Sequence, residues 1–480
     1  MKNIPWLFML VALVIHSNLT AQMGSFSSIY MTGGSGTSNI RPRIALNKSF
    51  YPVVTWNKTT IKSVSYSTWN GSAFSAPMPL SPTGLQADVF TWAGQEIASI
   101  QDTLYIVYAS LIGSESNVFI HQSTDGGATF SDTLRVSNIG TDKARFPTVG
   151  INGSGQPVVL FMRMMSNWAM PRYVVSRSTN SGLSYLPDVD ASNSLTGNEV
   201  CDCCPANFVS KNNTDAVLFR DNDVNKRDIQ AVFSYNGGVS YDSITPVDFN
   251  NWMINACPST GPDGHFGSDS LYTVFASQAS SPMKVYMSVT HPTSLQVGTH
   301  RIISSSTEFQ EYPRIAGNVD TIGIVWEQNN KVMLAYSTNG AAGLSSAIQV
   351  NEISDMASAP DIAYANGVFH IVWQSNSGMV HYRTYNLNTA SGMNTFHFNE
   401  AAIAPNPASS AWTIKLAEQI NPVQIELMDL QGRVVYTQDL PAFEPIQHTI
   451  SNTNFMTGQY FLRIQSGEKS GLYKLVKSEK

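Results

Sequence analysis

The chain has 480 residues, of which 42% are hydrophobic and only 13% charged, with a net charge of −6. A charge-poor, mildly acidic chain of this length can bury a large core, and it lacks the basic surface that a nucleic-acid partner requires. Neutral or sugar-like ligands remain open, and helix signals are nearly absent.

At the N-terminus, Lys2 precedes an apolar run from Trp6 to Ile15, and the residues around Leu19, Thr20 and Ala21 complete a secretory signal over 1–21. It is too short to persist as a membrane span, and cleavage is expected after Ala21. No later stretch is apolar for long enough to form a transmembrane helix. The segment "FSSIYMTGG" from Phe26 reads as an outer strand that precedes any inner one.

From residue 22 to 390 one phrase recurs: a proline, a few apolar residues, a break, then alternating apolar residues ending near an aromatic. "RPRIALNKSFYPVVTW" begins at Arg41, "FPTVGINGSGQPVVLF" at Phe146, "YPRIAGNVDTIGIVW" at Tyr312 and "APDIAYANGVFHIVW" at Ala359. Adjacent copies lie roughly 45 to 50 residues apart, the spacing of four-stranded propeller blades. Units start near Arg41, Gly94, Arg145, Cys203, Pro258, Tyr312 and Ala359. The expectation is an all-β, six- or seven-bladed β-propeller, seven by repeat count, closed by pairing the N-terminal strand into the final blade. Trp56, Trp326 and Trp373 recur at one repeat position and read as blade-to-blade packing.

Between third and fourth strands lies "STDGGATF", Ser123 to Phe130. Asp125 can accept hydrogen bonds from following amides, Gly127 supplies positive φ and Phe130 buries between sheets. The motif resembles the Asp-box repeats of the sialidase superfamily, and "STNSGLSY" from Ser178 and "SYNGGVSY" from Ser234 are relaxed copies. The resemblance implies a sialidase-like propeller; these turns carry fold information and are nearly silent on catalysis.

The four cysteines, Cys201, Cys203, Cys204 and Cys257, fall in "EVCDCCPANF" and "NWMINACPSTGP". In an exported chain two disulfides are expected, with three pairings open. The alternative is a zinc or copper(I) site of four thiolates. No other cofactor is expected.

A propeller gathers side chains at inner-strand starts and just after second strands. Those positions hold Arg41, Arg145, Glu199 with Asp202, and Tyr312 with Arg314, then Arg163, Arg220 with Asp221, and Glu327. Clustered guanidinium forks suit a carboxylate-bearing sugar. The stretch "LFRDNDVNKRDIQAVFSYNGG" looks like the sialidase segment that carries a carboxylate-binding arginine, which implies that role for Arg220. "EYPRIAGNVDTIGIVWE" is similar to the segment with the tyrosine nucleophile and its activating glutamate, implying Tyr312 and Glu327. The sialidase arginine, isoleucine, proline order is replaced here by "IRPRIA".

After a linker expected over 391–408, residues 409–480 read as a small Ig-like β-sandwich. The order "PNP", "DLQGRVV" around Gly432, "GQY" and "KLVK" closely resembles the C-terminal sorting domain of the type IX secretion system of Bacteroidetes. That likeness implies export and a secreted or outer cell-surface location, with the secretion machinery and extracellular glycans or glycoproteins as partners. Two functions are expected to compete: a glycan-recognising propeller without hydrolytic activity, and an exo-glycosidase of sialidase type. The enzyme requires Arg220 and two further arginines to converge beside Tyr312 and Glu327. The binder leaves them dispersed or paired off.

Overall fold

The computed structural model describes residues 24–32, 38–80, 84–112, 115–193, 199–319, 321–387, 401–416, 422–429, 433–441, 445–466 and 469–479. The expected signal at 1–21, the linker residues 391–400 and Gly432 lie outside them. All regular structure among the described residues is β. The chain divides into a unit spanning Ser25–Leu387 and a second one that holds Asn388–Lys480.

Within Ser25–Leu387 the described strands form seven antiparallel sheets of four or five strands. Their inner strands are Asn39–Leu46, Glu96–Ile100, Lys143–Ile151, Asn207–Lys211, Asp263–Phe266, Gln310–Gly317 and Ala357–Ala365. Each inner strand packs beside the next, and the last packs beside the first, so the sheets close into a β-propeller. The starts match the repeat read from sequence.

Second strands such as Pro52–Lys58, Pro157–Met164 and Ile322–Gln328 are near-continuous apolar runs because each sheet is covered on both faces by its neighbours. Trp56, Trp326 and Trp373 are fully buried in these contacts, which is the packing role expected of them. The early strand closes the last sheet as expected: Ser25 and Phe26 pair with Asn386 and Tyr385, and Tyr30 and Met31 pair with Tyr382 and His381. The Phe26 ring meets Tyr385 edge-on at 4.8 Å, and Arg383 Nη2 donates to Ser27 O at 2.6 Å.

Four inner strands share a bulge at the repeat's proline. The ladder skips Arg41–Pro42, Phe146–Pro147, Tyr312–Pro313 and Ala359–Pro360. In each, the residue before proline has a positive φ, between 48° and 52°. A side chain there is uncommon, and a bulge re-aims the residues it ejects from the ladder.

In the second unit, Ala402–Ala404, Ala411–Leu416 and Ile446–Ser451 form one sheet, and Val423–Met428, Val434–Leu440, Gly458–Ser466 and Lys469–Lys477 form another. Both contribute to one core around Trp412, Ile414, Ile425, Leu462 and Ile464. The strand Ala402–Ala404 falls inside the stretch read from sequence as linker; it pairs with Ala411–Leu416 because Ile403 is apolar enough to join that core.

Candidate functional site

Three of the four bulges bring their residues together at the mouth of the ring, around a small pocket of about 30 Å³. Its wall includes the residues before proline, Arg41, Tyr312 and Ala359, and those two places further on, Arg43 and Arg314, together with Glu96, Trp92, Ala206 and Gly261. The repeat therefore brings residues at the starts of six of the seven inner strands to a common centre, the strand Lys143–Ile151 being the exception.

Below the rim lies a neutralised charge network. Arg43 Nε meets Glu96 Oε1 at 2.7 Å, and Arg314 Nη2 meets Glu96 Oε2 at 3.0 Å. Arg314 Nε also contacts Asp361 Oδ1 at 2.8 Å and Asp263 Oδ2 at 3.5 Å. Burial pushes the Glu96 carboxyl up, but the Arg314 and Arg43 guanidiniums outweigh it and hold the group below the usual carboxylate range. For Arg314, burial is likewise outweighed, by Asp263, Asp361 and Glu96, which keep it firmly charged.

Arg41 differs. It is 6% exposed, and its Nε and Nη1 are buried with no hydrogen-bond partner. Its guanidinium lies 5.6 Å from the centroid of the Tyr312 ring. Burial, reinforced by the like charge of Arg43, lowers its pKa to about 9. Buried donors left unmade are costly, so this arrangement favours an anion that accepts from them.

Acids line the same rim. Glu311 and Glu327 are direct cross-strand partners, both carboxyls act on the Tyr312 hydroxyl, and Glu327 Oε2 accepts from Ala359 N at 3.2 Å. Burial raises both glutamates to about 7, with the charge of Glu327 adding to the shift at Glu311. Burial also pushes Tyr312 up to about 12. Near neutrality these carboxyls can hold or release a proton beside a bound anion.

Of the residues singled out from sequence, Arg41, Arg314 and Tyr312 line the pocket, and Glu327 interacts with Tyr312 beside it. Arg220 stands elsewhere. It is fully buried and spends its nitrogens on backbone, Nε on Thr260 O at 3.3 Å, Nη1 on Arg227 O at 2.5 Å and Nη2 on Ala276 O at 2.7 Å. Its guanidinium lies 5.0 Å from the centroid of the Trp252 ring, leaving no fork for a ligand. Arg145 is absent from the pocket wall and pairs with Asp88 at 3.0 Å. Glu199 is exposed on the two-residue strand Glu199–Val200. Sequence reasoning missed Arg43, Glu96, Asp263, Asp361 and Glu311. The signal for most of them was the position two places after the repeat's bulge residue, as in "RPR", "GQE", "GPD", "YPR" and "APD".

The cysteines form two disulfides, Cys201–Cys204 and Cys203–Cys257. The sulfurs of Cys201, Cys203 and Cys204 lie within 4.8 Å of one another, a spacing compatible with a common metal ion, although pairing as disulfides occupies all four sulfurs. The loop leads directly into Pro205 and Ala206 of the pocket wall, and Trp92 Nε1 donates to Cys203 O at 3.1 Å.

The turns at Ser123, Ser178 and Ser234 share one bonding pattern. Gly127, Gly182 and Gly238 each donate a backbone N–H to the serine Oγ four residues earlier, at 2.9 Å in all three. In the first, Asp125 Oδ1 accepts from Thr129 N at 2.9 Å, and the Phe130 ring packs edge-on against Tyr66. Asn47 Nδ2, at the turn that follows the first inner strand, donates to Gly126 O at 3.1 Å, which puts this motif at the end of the sheets away from Arg41.

Residues 402–478 match the family model of a secretion system C-terminal sorting domain. No curated protein matches the chain. Among solved structures, an ulvan lyase bound to -[GlcA(1-4)Rha3S]- is similar at 10% identity with a TM-score of 0.51, over 75% of this chain and 95% of that one. The polysaccharide lyase Uly1 is similar at 10% identity with a TM-score of 0.50, over 75% and 92%. An alpha-L-arabinanase of Penicillium chrysogenum is similar at 9% identity with a TM-score of 0.44, over 76% and 99%. No helix among the described residues is long and apolar enough to cross a membrane. The chain thus carries a β-propeller followed by a sorting domain of the secretion-system family, which marks the protein for export to the medium or the outer cell surface.

Proposed function

We propose that the protein is an exported seven-bladed propeller, followed by an Ig-like sorting domain, that recognises acidic glycans in its axial pocket without hydrolysing them. One observation carries this reading: Arg41 is buried at the pocket wall with two donors unmade, whereas every other arginine there is neutralised. A sugar carboxylate accepting from Arg41 supplies the missing partner, and protonated Glu311 and Glu327 avoid repelling it. The likeness to polysaccharide lyases in fold supports a glycan ligand, and the shared serine turns support the sialidase-like reading of the blades.

A second reading, exo-glycosidase action with Tyr312 as nucleophile, is favoured by the Glu311 and Glu327 carboxyls that act on its hydroxyl. Against it stand the backbone-bound Arg220 and the paired Arg43 and Arg314, which leave Arg41 as the one unpaired guanidinium among the described residues of the pocket wall. Titration calorimetry with uronic and sialic acids, together with a fluorogenic sialoside assay, tests both. Binding lost in Arg41→Gln with no turnover supports recognition. Turnover abolished in Tyr312→Phe establishes the enzyme.

A further inference from the structure

Next to the axial pocket lies a cluster that the proposed function leaves unused. Trp92, part of the pocket wall, has its ring centroid 4.9 Å from that of Phe90, and Phe90 is 5.5 Å from Phe146. The Arg145 guanidinium lies 4.4 Å from the Phe90 centroid and 5.2 Å from those of Phe146 and Trp168. Three rings around one cation fix its position at little entropic cost when a ligand arrives.

Arg145 is held but not consumed. Only its Nε is engaged, with Asp88, and among the described residues its two terminal nitrogens make no hydrogen bond. The side chain keeps 23% of its surface in solvent, so those nitrogens remain available. Lys143 Nζ stands 6.0 Å from the Trp168 ring centroid, adding a second positive charge.

Trp168 is 41% exposed, on the loop between Pro157–Met164 and Arg172–Arg177. Its φ is 66° and that of Met170 is 53°. Two backbone hydrogen bonds, Met165 N to Ala169 O and Trp168 N to Met165 O, both 2.8 Å, hold this tight loop. A bulky residue in the left-handed region is strained, and such strain persists where surroundings enforce it, commonly at ligand clamps. Here the loop keeps a large ring at the surface beside two cations.

We infer that Trp168 and Arg145 form a second subsite, continuous with the axial pocket through Trp92 and Phe90, so that the ligand is an oligosaccharide bearing more than one acidic group. The C–H face of a sugar, slightly positive, lies on the negative face of the indole, while Arg145 takes a carboxylate or sulfate oxygen on the same or the next sugar. This rests on the reading of the axial pocket as an acid-sugar site.

The test is titration calorimetry of the mature full-length protein with galacturonic and glucuronic acid, and with a tetrasaccharide of each. At least tenfold tighter binding of a tetrasaccharide than of its monosaccharide is expected. Trp168→Ala and Arg145→Gln each reduce the tetrasaccharide to the monosaccharide level and leave the monosaccharide unchanged, while Arg41→Gln weakens both. Equal affinity for both lengths, an unaltered tetrasaccharide affinity in Trp168→Ala, or no binding at millimolar ligand overturns the subsite. Should Arg41→Gln leave both ligands unaffected while Trp168→Ala acts, the axial reading fails and the rim stands. A melting temperature within a few degrees of the parent shows that Trp168→Ala folds.

Discussion

Asp361 of the last inner strand accepts a hydrogen bond from Ile44 N of the first at 2.9 Å, while its other oxygen takes Arg314 Nε of the sixth at 2.8 Å. One carboxylate thus ties three sheets together. Asp263 repeats the device, accepting from Ile315 N of the next sheet at 2.8 Å. Residues two places past the bulge residue serve as inter-sheet staples as well as pocket floor.

Asp361→Ala is expected to lower the unfolding free energy by about 3–5 kcal/mol, because it strips a buried arginine of a partner and orphans a backbone amide. Asp361→Asn keeps an acceptor for Ile44 N and should lose markedly less. Denaturant unfolding of the two variants beside the parent measures the difference.

Glu96 is the shared counterion of Arg43 and Arg314. Glu96→Gln should therefore release positive charge into the pocket, raising affinity for a uronate several-fold while costing about 3 kcal/mol of stability. Calorimetric titration and thermal unfolding on the same sample separate the two effects.

Glu311 and Glu327 titrate at about 7 in the fold, above their ordinary 4.5, mainly through burial. A carboxyl with a raised folded-state pKa contributes stability that is complete below about 4.5 and is lost as pH rises through 7. The melting temperature should fall from pH 5 to pH 8 for this reason, and Glu327→Gln should flatten the profile. Uronate affinity should decline over the same interval, as two anions appear beside Arg41. Calorimetry at pH 5.5 and 8 checks it.

Arg220→Met should cost several kcal/mol, since three buried carbonyls lose their donor along with the contact to Trp252. Saturating ligand affinity per folded molecule should stay at the parent value. A loss of affinity larger than the loss of folded protein would return Arg220 to the binding set.

Native mature protein should show no free thiol. Opening Cys203–Cys257, which spans 54 residues, should cost about 4 kcal/mol on chain-entropy grounds. It should also loosen Pro205 and Ala206, weakening ligand binding. Thiol titration before and after denaturation, with Cys257→Ser as comparison, reads both.

The propeller was legible because its signals are local and repeated: a proline phrase, alternating strands and serine turns that each fold the same way. Tyr312, Arg41 and Arg314 were legible as residues at strand starts. Glu96 and Asp263 were not, because their repeats are degenerate: "GQE" has lost the proline, and "GPD" keeps it without the apolar run that follows it elsewhere. Arg220 misled for another reason. A likeness of neighbouring residues carries no information on whether a guanidinium faces a pocket or turns to backbone carbonyls between sheets, and only packing decides that. Trp168 was equally silent, since its exposure depends on a left-handed loop that no periodicity reveals.

The pairing of Ser25 and Phe26 with Asn386 and Tyr385 joins the two extremes of the propeller unit. The first strand to emerge during synthesis must wait, unpartnered, until the seventh sheet exists, and until then the latter presents a bare edge to any passing chain. A truncation that removes Ser25 and Phe26 should therefore leave the ring closed through its inner strands but expose the outer edge of Val380–Asn386, an invitation to pairing between copies.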